Sequence, residues 1–472
     1  MREPPEGTAA APPADRPGLV RGLSAFDGAL LTIGSVVGTG IFLTTSDIAR
    51  VLPSEAWILA VWLASGLLTL AGALTYAELG AMFPRAGGMY VFLKEAYGPL
   101  PGFLYGWTAF TVIMSGGIAA IAVGFGEYLG SFLPFFSTGN QLLAVPLGGW
   151  TWSVSGGQIA AALAIVFLTA INYLGLKEGA WLQNALTLVK IASLLLIAGI
   201  GFLVPARVES PFFAPVAGGG LLAAFAVGMI AALWTYDGWY GLTFSAGEMK
   251  NPSRGLPLGL IGGTIAVVVL YLLINLAYFR ALTPEEMAAT SRIGETAAQS
   301  LFGPLGARLL AAAVLVSTFG CLSSTILYSS RTYLPMAEDG LFFRSLAEIH
   351  PRHRTPGKSL WWQTAWALVL TLSGTYSQLY TYVVFAAVLF HVATGAAVFV
   401  LRAKRPELSR PYRVWGYPLV PAAFIVASLV LVGSTLFERP VESLLGLLCV
   451  ALGFPVYLFW RRRAQSGEAR RP

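Results

Sequence analysis

Long uncharged stretches recur along this chain from one end to the other. The interval from Asp27 to Asp47 contains 19 uncharged residues, and similar intervals run from Glu55 to Glu78 and from Arg254 to Arg280. A helix needs about 20 mostly apolar residues to cross the hydrocarbon core of a bilayer. Counting such intervals, with the one from Lys358 to Arg402 long enough for two helices, predicts twelve transmembrane helices and an all-α integral membrane protein.

Composition supports a membrane protein and argues against several other classes. Only 11% of the residues are charged, whereas water-soluble domains carry about 25%. The basic residues behind the net charge of +7 are scattered and form no continuous stripe, so we expect no nucleic-acid partner. The two cysteines, Cys321 and Cys449, show no metal-site spacing. We therefore expect no metal and no cofactor.

Two further classes lack the residues that they require. An enzyme would need a catalytic constellation, and the expected helices contain none. A channel would need rings of polar or charged residues along a pore, and the sequence offers none. We therefore expect neither an enzyme nor a channel.

The distribution of basic residues predicts the orientation in the membrane. An even number of helices puts both termini on one side. If both termini are cytoplasmic, 23 Lys and Arg lie in cytoplasmic segments, 6 lie in external ones, and Lys190 lies inside the membrane. We therefore expect a multi-pass protein of the plasma membrane, which is the inner membrane in bacteria, with both termini cytoplasmic.

The expected helices divide the chain into five segments. Residues 1–25 are proline-rich and predict a disordered cytoplasmic tail. Helices one to five occupy 26–204, helices six to ten 205–402, and helices eleven and twelve 403–460. Residues 461–472 form a basic cytoplasmic tail. Between the helices we expect an uncharged external loop at 134–156 and a short amphipathic external helix within 282–304.

Two glycine-containing clusters predict where helices break. Residues 34–40 read GSVVGTG and residues 234–239 read WTYDGW. The first cluster lies in expected helix one and the second in expected helix six, so each lies in the first helix of a set of five. This arrangement is typical of a 5+5 inverted repeat with discontinuous helices one and six, although we find no residue-level similarity between the halves. Close helix packing through glycine is the alternative, but packing does not require Asp237 beside Gly238.

A broken helix exposes backbone groups that suit a zwitterion. Unpaired amides at the start of its second half attract a carboxylate, and unpaired carbonyls at the end of its first half attract an ammonium group. The two clusters therefore predict a binding site for a small molecule that carries both charges.

At these residues the sequence resembles the amino acid-polyamine-organocation superfamily, and within it the L-type amino acid transporter family. The resemblance covers about residues 20–460 and rests on five motifs in the same order as in the family. They are IGSVVGTGIF at 33–42, YAELGAMFPRAGGMYVFLKEAYGP at 76–99, LWTYDGWYGLTFSAGEMKNPSRGLP at 233–257, RTYLPMAEDGLFFRSLAEIHPRHRTP at 331–356, and RPYRVWGYPLVP at 410–421.

The resemblance implies a fold like that of the leucine transporter and a particular set of binding residues. The Thr39 and Gly40 amides would hold the substrate carboxylate. Ammonium ligands would be the backbone carbonyls of Val36, Trp234 and Asp237. The full expected substrate-binding set is Val36, Val37, Gly38, Thr39, Gly40, Trp234, Thr235, Asp237 and Gly238.

Two of the implied roles carry an alternative. Trp234, with Tyr236, would form the gate that closes over the substrate, and packing or interfacial anchoring of Trp234 is the alternative. Asp237 departs from family members with a small or apolar residue at this position. It resembles the branch that accepts cationic amino acids, so neutral and cationic substrates both stay open.

Lys190 is the one basic residue that we place inside the membrane. A lysine at mid-membrane is costly unless it is paired, by roughly 2.5–3.5 kcal/mol on insertion scales. It resembles a family lysine that occupies the place of a sodium ion. Its expected neighbours are the Gly34 carbonyl and the hydroxyl groups of Ser317 or Thr318. Snorkelling of the side chain to the interface is the alternative.

These expectations combine into a sodium-independent transporter of L-amino acids that works by alternating access, as an exchanger or a uniporter. A proton-coupled amino acid symporter or a polyamine or organocation carrier of the same fold is the alternative. Residues 134–156 contain no cysteine, so we expect no disulfide-linked heavy chain. The expected partners are the L-amino acid and membrane lipid.

Overall fold

A computed structural model describes residues 19–147, 150–208, 212–213, 220–373, 376–438 and 440–468. Most of the expected tail at 1–25 and the end of the chain beyond residue 468 lie outside these ranges. The first half of the chain forms helices α1 (Ala25–Val36), α2 (Thr44–Val51), α3 (Glu55–Met82), α4 (Met89–Tyr97), α5 (Pro99–Thr108), α6 (Met114–Leu129), α7 (Gly156–Leu174) and α8 (Leu176–Leu203).

The second half of the described chain is also helical. It forms helices α9 (Leu221–Tyr236), α10 (Pro252–Ala281), α11 (Pro284–Ala289), α12 (Ile293–Glu338), α13 (Gly357–Thr371), α14 (Tyr376–Lys404), α15 (Leu419–Glu438) and α16 (Pro440–Glu468).

Ten helical segments in the described part of the chain are long and apolar enough to cross a membrane. This confirms the predicted class of a helical membrane protein. The two remaining expected spans coincide with α1, which has 12 residues and ends at a break, and with α13, which has 15 residues. Both are shorter than the uncharged intervals from which we expected full-length helices.

Both expected breaks are present in the backbone. Helix α1 ends at Val36, and a 3₁₀ helix at Gly40–Phe42 leads into α2. Helix α9 ends at Tyr236, and a 3₁₀ helix follows at Gly241–Glu248. Gly238 makes the second break possible because its φ is +91° and because a Cβ there would lie 2.7 Å from the Ser35 carbonyl oxygen. Glycine alone combines that backbone angle with that close approach.

The connections outside the membrane contain more regular structure than the sequence predicts. The loop expected at 134–156 forms a two-stranded antiparallel hairpin, β1 (Gln141–Leu147) and β2 (Trp150–Ser155). The short external helix expected within 282–304 corresponds to α11, whose Glu286 accepts two hydrogen bonds of 2.9 Å from Arg207. These hydrogen bonds lower the pKa of the Glu286 carboxyl.

Helix α1 lies at the centre of the molecule. It packs against α8, α10 and α12, and every residue from Leu30 to Val36 is buried. Because three long helices enclose it, the break that ends α1 lies inside the protein rather than against lipid. Any chemistry at that break is therefore shielded from the bilayer.

Two ion pairs with buried carboxylates join elements at the face of the protein where Leu23 pairs with Met249. Glu78 of α3 accepts hydrogen bonds of 2.9 and 2.6 Å from Arg402 of α14. Glu248 accepts two hydrogen bonds of 3.1 Å from Arg331 of α12, and both side chains are almost fully buried. The second pair ties the segment after the α9 break to the end of α12.

We predict that Glu248→Ala destabilises the protein far more than the loss of an exposed ion pair does. The substitution leaves the Arg331 guanidinium buried without its counter-charge, which costs roughly 3–5 kcal/mol in proteins. Glu348→Ala is the matched control because Glu348 pairs with Lys358 at the surface, where ion pairs contribute little. Thermal unfolding in detergent measures both variants, and equal melting temperatures would contradict a structural role for the buried pair.

Candidate functional site

A small cavity of about 30 Å³ lies between the two helix breaks. Its walls come from α1 and the turn after it, from the end of α9 and the turn after it, and from the third and eighth expected spans. It is lined by Ser35, Val36, Gly38, Thr39, Gly40, Ile113, Met114, Gly117, Ile121, Trp234, Thr235, Asp237, Gly238, Tyr240, Cys321, Thr325 and Tyr328. Eight of the nine expected substrate-binding residues are in this set.

Two residues of the expected site face elsewhere. The Val37 carbonyl accepts hydrogen bonds from Lys190 and Ser317, so this peptide group is directed at the neighbouring helices. The Tyr236 hydroxyl donates to the Trp62 carbonyl. Tyr236 follows Trp234 by two positions, which is about 200° around a helix, so the two side chains point in opposite directions. Tyr236 does not line the cavity in this structure, and its part in the gate stays a prediction.

Three consecutive backbone amides at the first break have no acceptor in the part of the chain that the structure describes. The N–H groups of Gly38, Thr39 and Gly40 make no hydrogen bond to any described residue, and all three residues are buried. Buried backbone donors are almost always paired. A row of three vacant donors beside a cavity can therefore donate hydrogen bonds to an anionic group.

The carbonyls at the same break are, by contrast, already occupied. Lys190 Nζ donates to Gly34 O at 3.0 Å and to Val37 O at 2.6 Å. The Cys321 thiol donates to Ser35 O at 3.0 Å, and the Tyr271 hydroxyl donates to Val36 O at 3.1 Å. Side chains from α8, α12 and α10 therefore hold the end of α1. The electrostatic asymmetry of the break favours an anion on the amide side.

Lys190 forms a hydrogen bond with one of its three expected neighbours, Gly34, and none with Ser317 or Thr318 among the described bonds. Lys190 is 1% exposed, and its ammonium contacts the Gly34 carbonyl as expected. The hydroxyl of Ser317 donates to Val37 O at 3.3 Å, and that of Thr318 donates to Val314 O of its own helix. Neither hydroxyl forms a described hydrogen bond with the lysine, which bonds to carbonyls of α1 and of the break instead.

Asp237 lies between two cavities. It lines the cavity at the breaks and also a second cavity of about 30 Å³, which His391 and Trp239 line as well. Asp237 therefore adds an acidic residue to the lining of the first cavity.

Sequence reasoning missed the cavity wall formed by the third span and by α12. Ile113 closes a π-helical turn at Ala109–Ile113, which precedes the Gly116–Gly117 pair. Such turns occur frequently at functional sites but leave no pattern in the sequence, and the glycine pair was the one available signal. Cys321, Thr325 and Tyr328 come from α12, whose hydroxyl-rich run resembles ordinary helix packing.

The cavity in this structure is smaller than a metabolite. A volume of 30 Å³ holds about two water molecules. No group of three or more His, Cys, Asp and Glu residues that could hold a metal ion occurs in the described ranges. Binding of a small zwitterion therefore requires the side chains of the wall to move outward.

Comparison with known proteins gives one family and several relatives. The model of a family described as amino acid permease matches residues 23–452. The chain is 34% identical over 442 residues to the serine/threonine exchanger SteT of Bacillus subtilis (strain 168), which covers 92% of this chain and 96% of that protein.

Two mammalian proteins are similar over nearly the same length. The b(0,+)-type amino acid transporter 1 of Mus musculus is 30% identical over 437 residues, or 92% of this chain and 86% of that protein. The large neutral amino acids transporter small subunit 2 of Mus musculus is 29% identical over 441 residues, or 92% of this chain and 80% of that protein.

We predict opposite outcomes for alanine at two glycines that line the same cavity. In Gly40→Ala the new Cβ would lie 2.6 Å from Thr235 Oγ1, and overpacking of this kind costs about 1–3 kcal/mol. Thr235 cannot readily turn away, because its hydroxyl is bonded to Thr44 and to Ala231 O. In Gly117→Ala nothing lies within 4 Å of the new Cβ.

The melting temperature of each variant in detergent is the measurement. It should fall for Gly40→Ala, recover in part when Thr235→Ala is added, and stay unchanged for Gly117→Ala. Equal melting temperatures for the two single variants would contradict close contact between the two breaks.

Proposed function

This chain belongs to the amino acid permease family, and from that premise we propose that it is a sodium-independent exchanger of L-amino acids. The observation that carries the proposal is the row of vacant buried amides at Gly38, Thr39 and Gly40. An α-carboxylate satisfies these donors, and the positive end of the helical turn that follows attracts it further.

The α-ammonium of the substrate is expected on the opposite side of the cavity. Carbonyl oxygens have two lone pairs, so Val36 O can accept an ammonium proton in addition to the Tyr271 hydroxyl. Trp234 O already accepts from the Asp237 amide and has the same spare capacity. The carbonyl of Asp237 completes this part of the proposed site.

Alternating access follows from the two broken helices and the small cavity. We propose that the fold is the leucine-transporter-like 5+5 inverted repeat with twelve spans. The discontinuous first and sixth spans are α1 with α2 and α9 with the 3₁₀ helix after it. Trp234 is 7% exposed and lines the cavity. Its rotation would open the space that the substrate needs, which makes it the proposed gate.

The side-chain preference is proposed to extend to cationic amino acids. Asp237 lines the cavity, so an amino acid with a basic side chain could pair with its carboxylate. Neutral amino acids remain the main proposed substrates, because the rest of the wall is apolar or carries only hydroxyl, thiol and indole groups.

Lys190 is proposed to replace the cation of sodium-coupled relatives. Its ammonium already donates to the carbonyls of Gly34 and Val37, so a sodium ion would have to displace it. A fixed charge in this place holds the first span without an ion gradient. This favours exchange over sodium-driven uptake, and the word exchanger in the name of the bacterial relative points the same way.

The location and the partners of the protein are proposed as well. We propose that the protein spans the plasma membrane with both termini cytoplasmic, and that it works without a disulfide-linked heavy chain. Cys321 is buried in α12 and Cys449 is partly buried in α16. Both lie within apolar spans, where a bond to an external subunit is out of reach.

We predict that reconstituted protein exchanges amino acids without sodium. Proteoliposomes loaded with unlabelled L-serine should take up labelled L-serine much faster than empty ones. Uptake should be unchanged when choline replaces sodium and when a protonophore removes the pH gradient. Amino acid amides should compete poorly because they lack the carboxylate. A steep sodium requirement, or uptake into empty liposomes that a pH gradient drives, would contradict exchange and favour a symporter.

We predict that Lys190→Met slows exchange severely. The variant leaves the Gly34 and Val37 carbonyls short of a donor, and an unsatisfied buried polar group costs about 1–3 kcal/mol, so the end of α1 should be poorly held. Exchange should fall by at least tenfold with sodium present or absent. Lys404→Met is the control because Lys404 is exposed at the end of α14. Unchanged exchange, or full rescue by sodium, would contradict the proposed role.

A further inference from the structure

An open groove of about 510 Å³ runs along the first turns of α10, away from the central cavity. One wall is formed by Ser253, Arg254, Pro257, Leu258, Ile261 and Gly262 of α10. The other is formed by Pro411 and Tyr412, in the segment that connects α14 to α15. The groove is therefore much larger than either internal cavity and belongs to a different part of the fold.

The groove lies at the face of the protein where the segment before α1 meets the segment before α10. The backbone amide of Lys250, just before α10, donates a hydrogen bond to the carbonyl of Leu23, just before α1. From this face α10 continues as one of the ten long apolar segments. The groove therefore starts at a membrane interface and extends along a helix toward the hydrocarbon region. In the proposed topology this interface is the cytoplasmic one.

The wall of the groove changes character along its length. Arg254 is exposed and lies in the first turn of α10 at the polar end, and Tyr412 lines the other wall of the groove. Leu258, which is 56% exposed, and Ile261 follow one and two turns further along α10. A polar head with an apolar continuation is the shape of a lipid rather than of a soluble anion.

The basic residues of this region divide into paired and unpaired ones. Arg402 and Arg410 both lie close to the buried Glu78 carboxylate. Arg254 and the exposed Arg413, which follows Tyr412, form no described ion pair or side-chain hydrogen bond. No carboxylate lines the groove. The positive charge at its polar end is therefore not neutralised by the described protein.

We propose that this groove binds one anionic phospholipid of the adjoining leaflet. The phosphate would lie against the Arg254 guanidinium and accept a hydrogen bond from the Tyr412 hydroxyl. One acyl chain would lie along Leu258 and Ile261. Basic pockets between membrane helices on the cytoplasmic side suit such headgroups, and tyrosine is enriched at the same level of the membrane.

Lipid binding is measured on delipidated protein in a mild non-ionic detergent, titrated with phosphatidylglycerol and observed by native mass spectrometry. Wild-type protein should bind phosphatidylglycerol more tightly than phosphatidylcholine. Arg254→Gln should weaken this binding about fivefold, which corresponds to about 1 kcal/mol per basic residue near an anionic headgroup. Arg352→Gln is the matched control, since it removes an exposed arginine that does not line the groove, and it should bind as wild type does.

A second variant separates shape from charge. Leu258→Trp keeps Arg254 and fills the apolar part of the groove, so it should also weaken phosphatidylglycerol binding while amino acid exchange persists. Equal losses in Arg254→Gln and Arg352→Gln would show attraction to the basic surface in general and overturn the proposal. Equal binding of phosphatidylcholine would overturn it too. So would displacement of the lipid by an equal concentration of inorganic phosphate, which would indicate a site for free anions.

Discussion

The end of α1 is held inside the protein by side chains rather than by its own helix. Lys190, Cys321 and Tyr271 donate to the carbonyls of Gly34, Ser35 and Val36, and Lys190 also donates to Val37. A helix that stops in the middle of a membrane protein leaves these groups without partners, and in an apolar environment each would be costly. Three neighbouring helices remove that cost and in doing so fix where α1 ends.

The other side of the break is left unsatisfied, and this difference gives the site its polarity. The amides from Gly38 to Gly40 face a cavity and have no acceptor among the described residues. The second break reinforces the arrangement because Gly238 approaches the Ser35 backbone and its carbonyl accepts from the Ser35 hydroxyl. The two interrupted helices are thus bonded to each other directly beside the vacant donors. Movement of one break should therefore be transmitted to the other.

Sequence reasoning located the breaks but could not orient every residue within them. Glycine clusters at 34–40 and 234–239 identified the segments because glycine weakens a helix and permits close approach. Val37 and Tyr236 were assigned to the cavity by position, and the helical phase and the local turn direct them away from it. The π-helical turn before Met114 and the pairing of β1 with β2 depend on local hydrogen bonding. No residue pattern in this chain predicts that hydrogen bonding. Cys321 was considered from the sequence only as a possible metal ligand, and its contact with Ser35 forms only when α1 and α12 pack together.

The central claim is that a substrate carboxylate occupies the amides at the first break. A cryo-electron microscopy structure of the reconstituted protein, determined with an exchanged L-amino acid bound, tests it directly. The carboxylate oxygens should lie within hydrogen-bond distance of the backbone nitrogens of Thr39 and Gly40. Lys190 should still be bound to the carbonyls of Gly34 and Val37. A carboxylate bound to Lys190 instead, or a substrate held away from the first break, would contradict it.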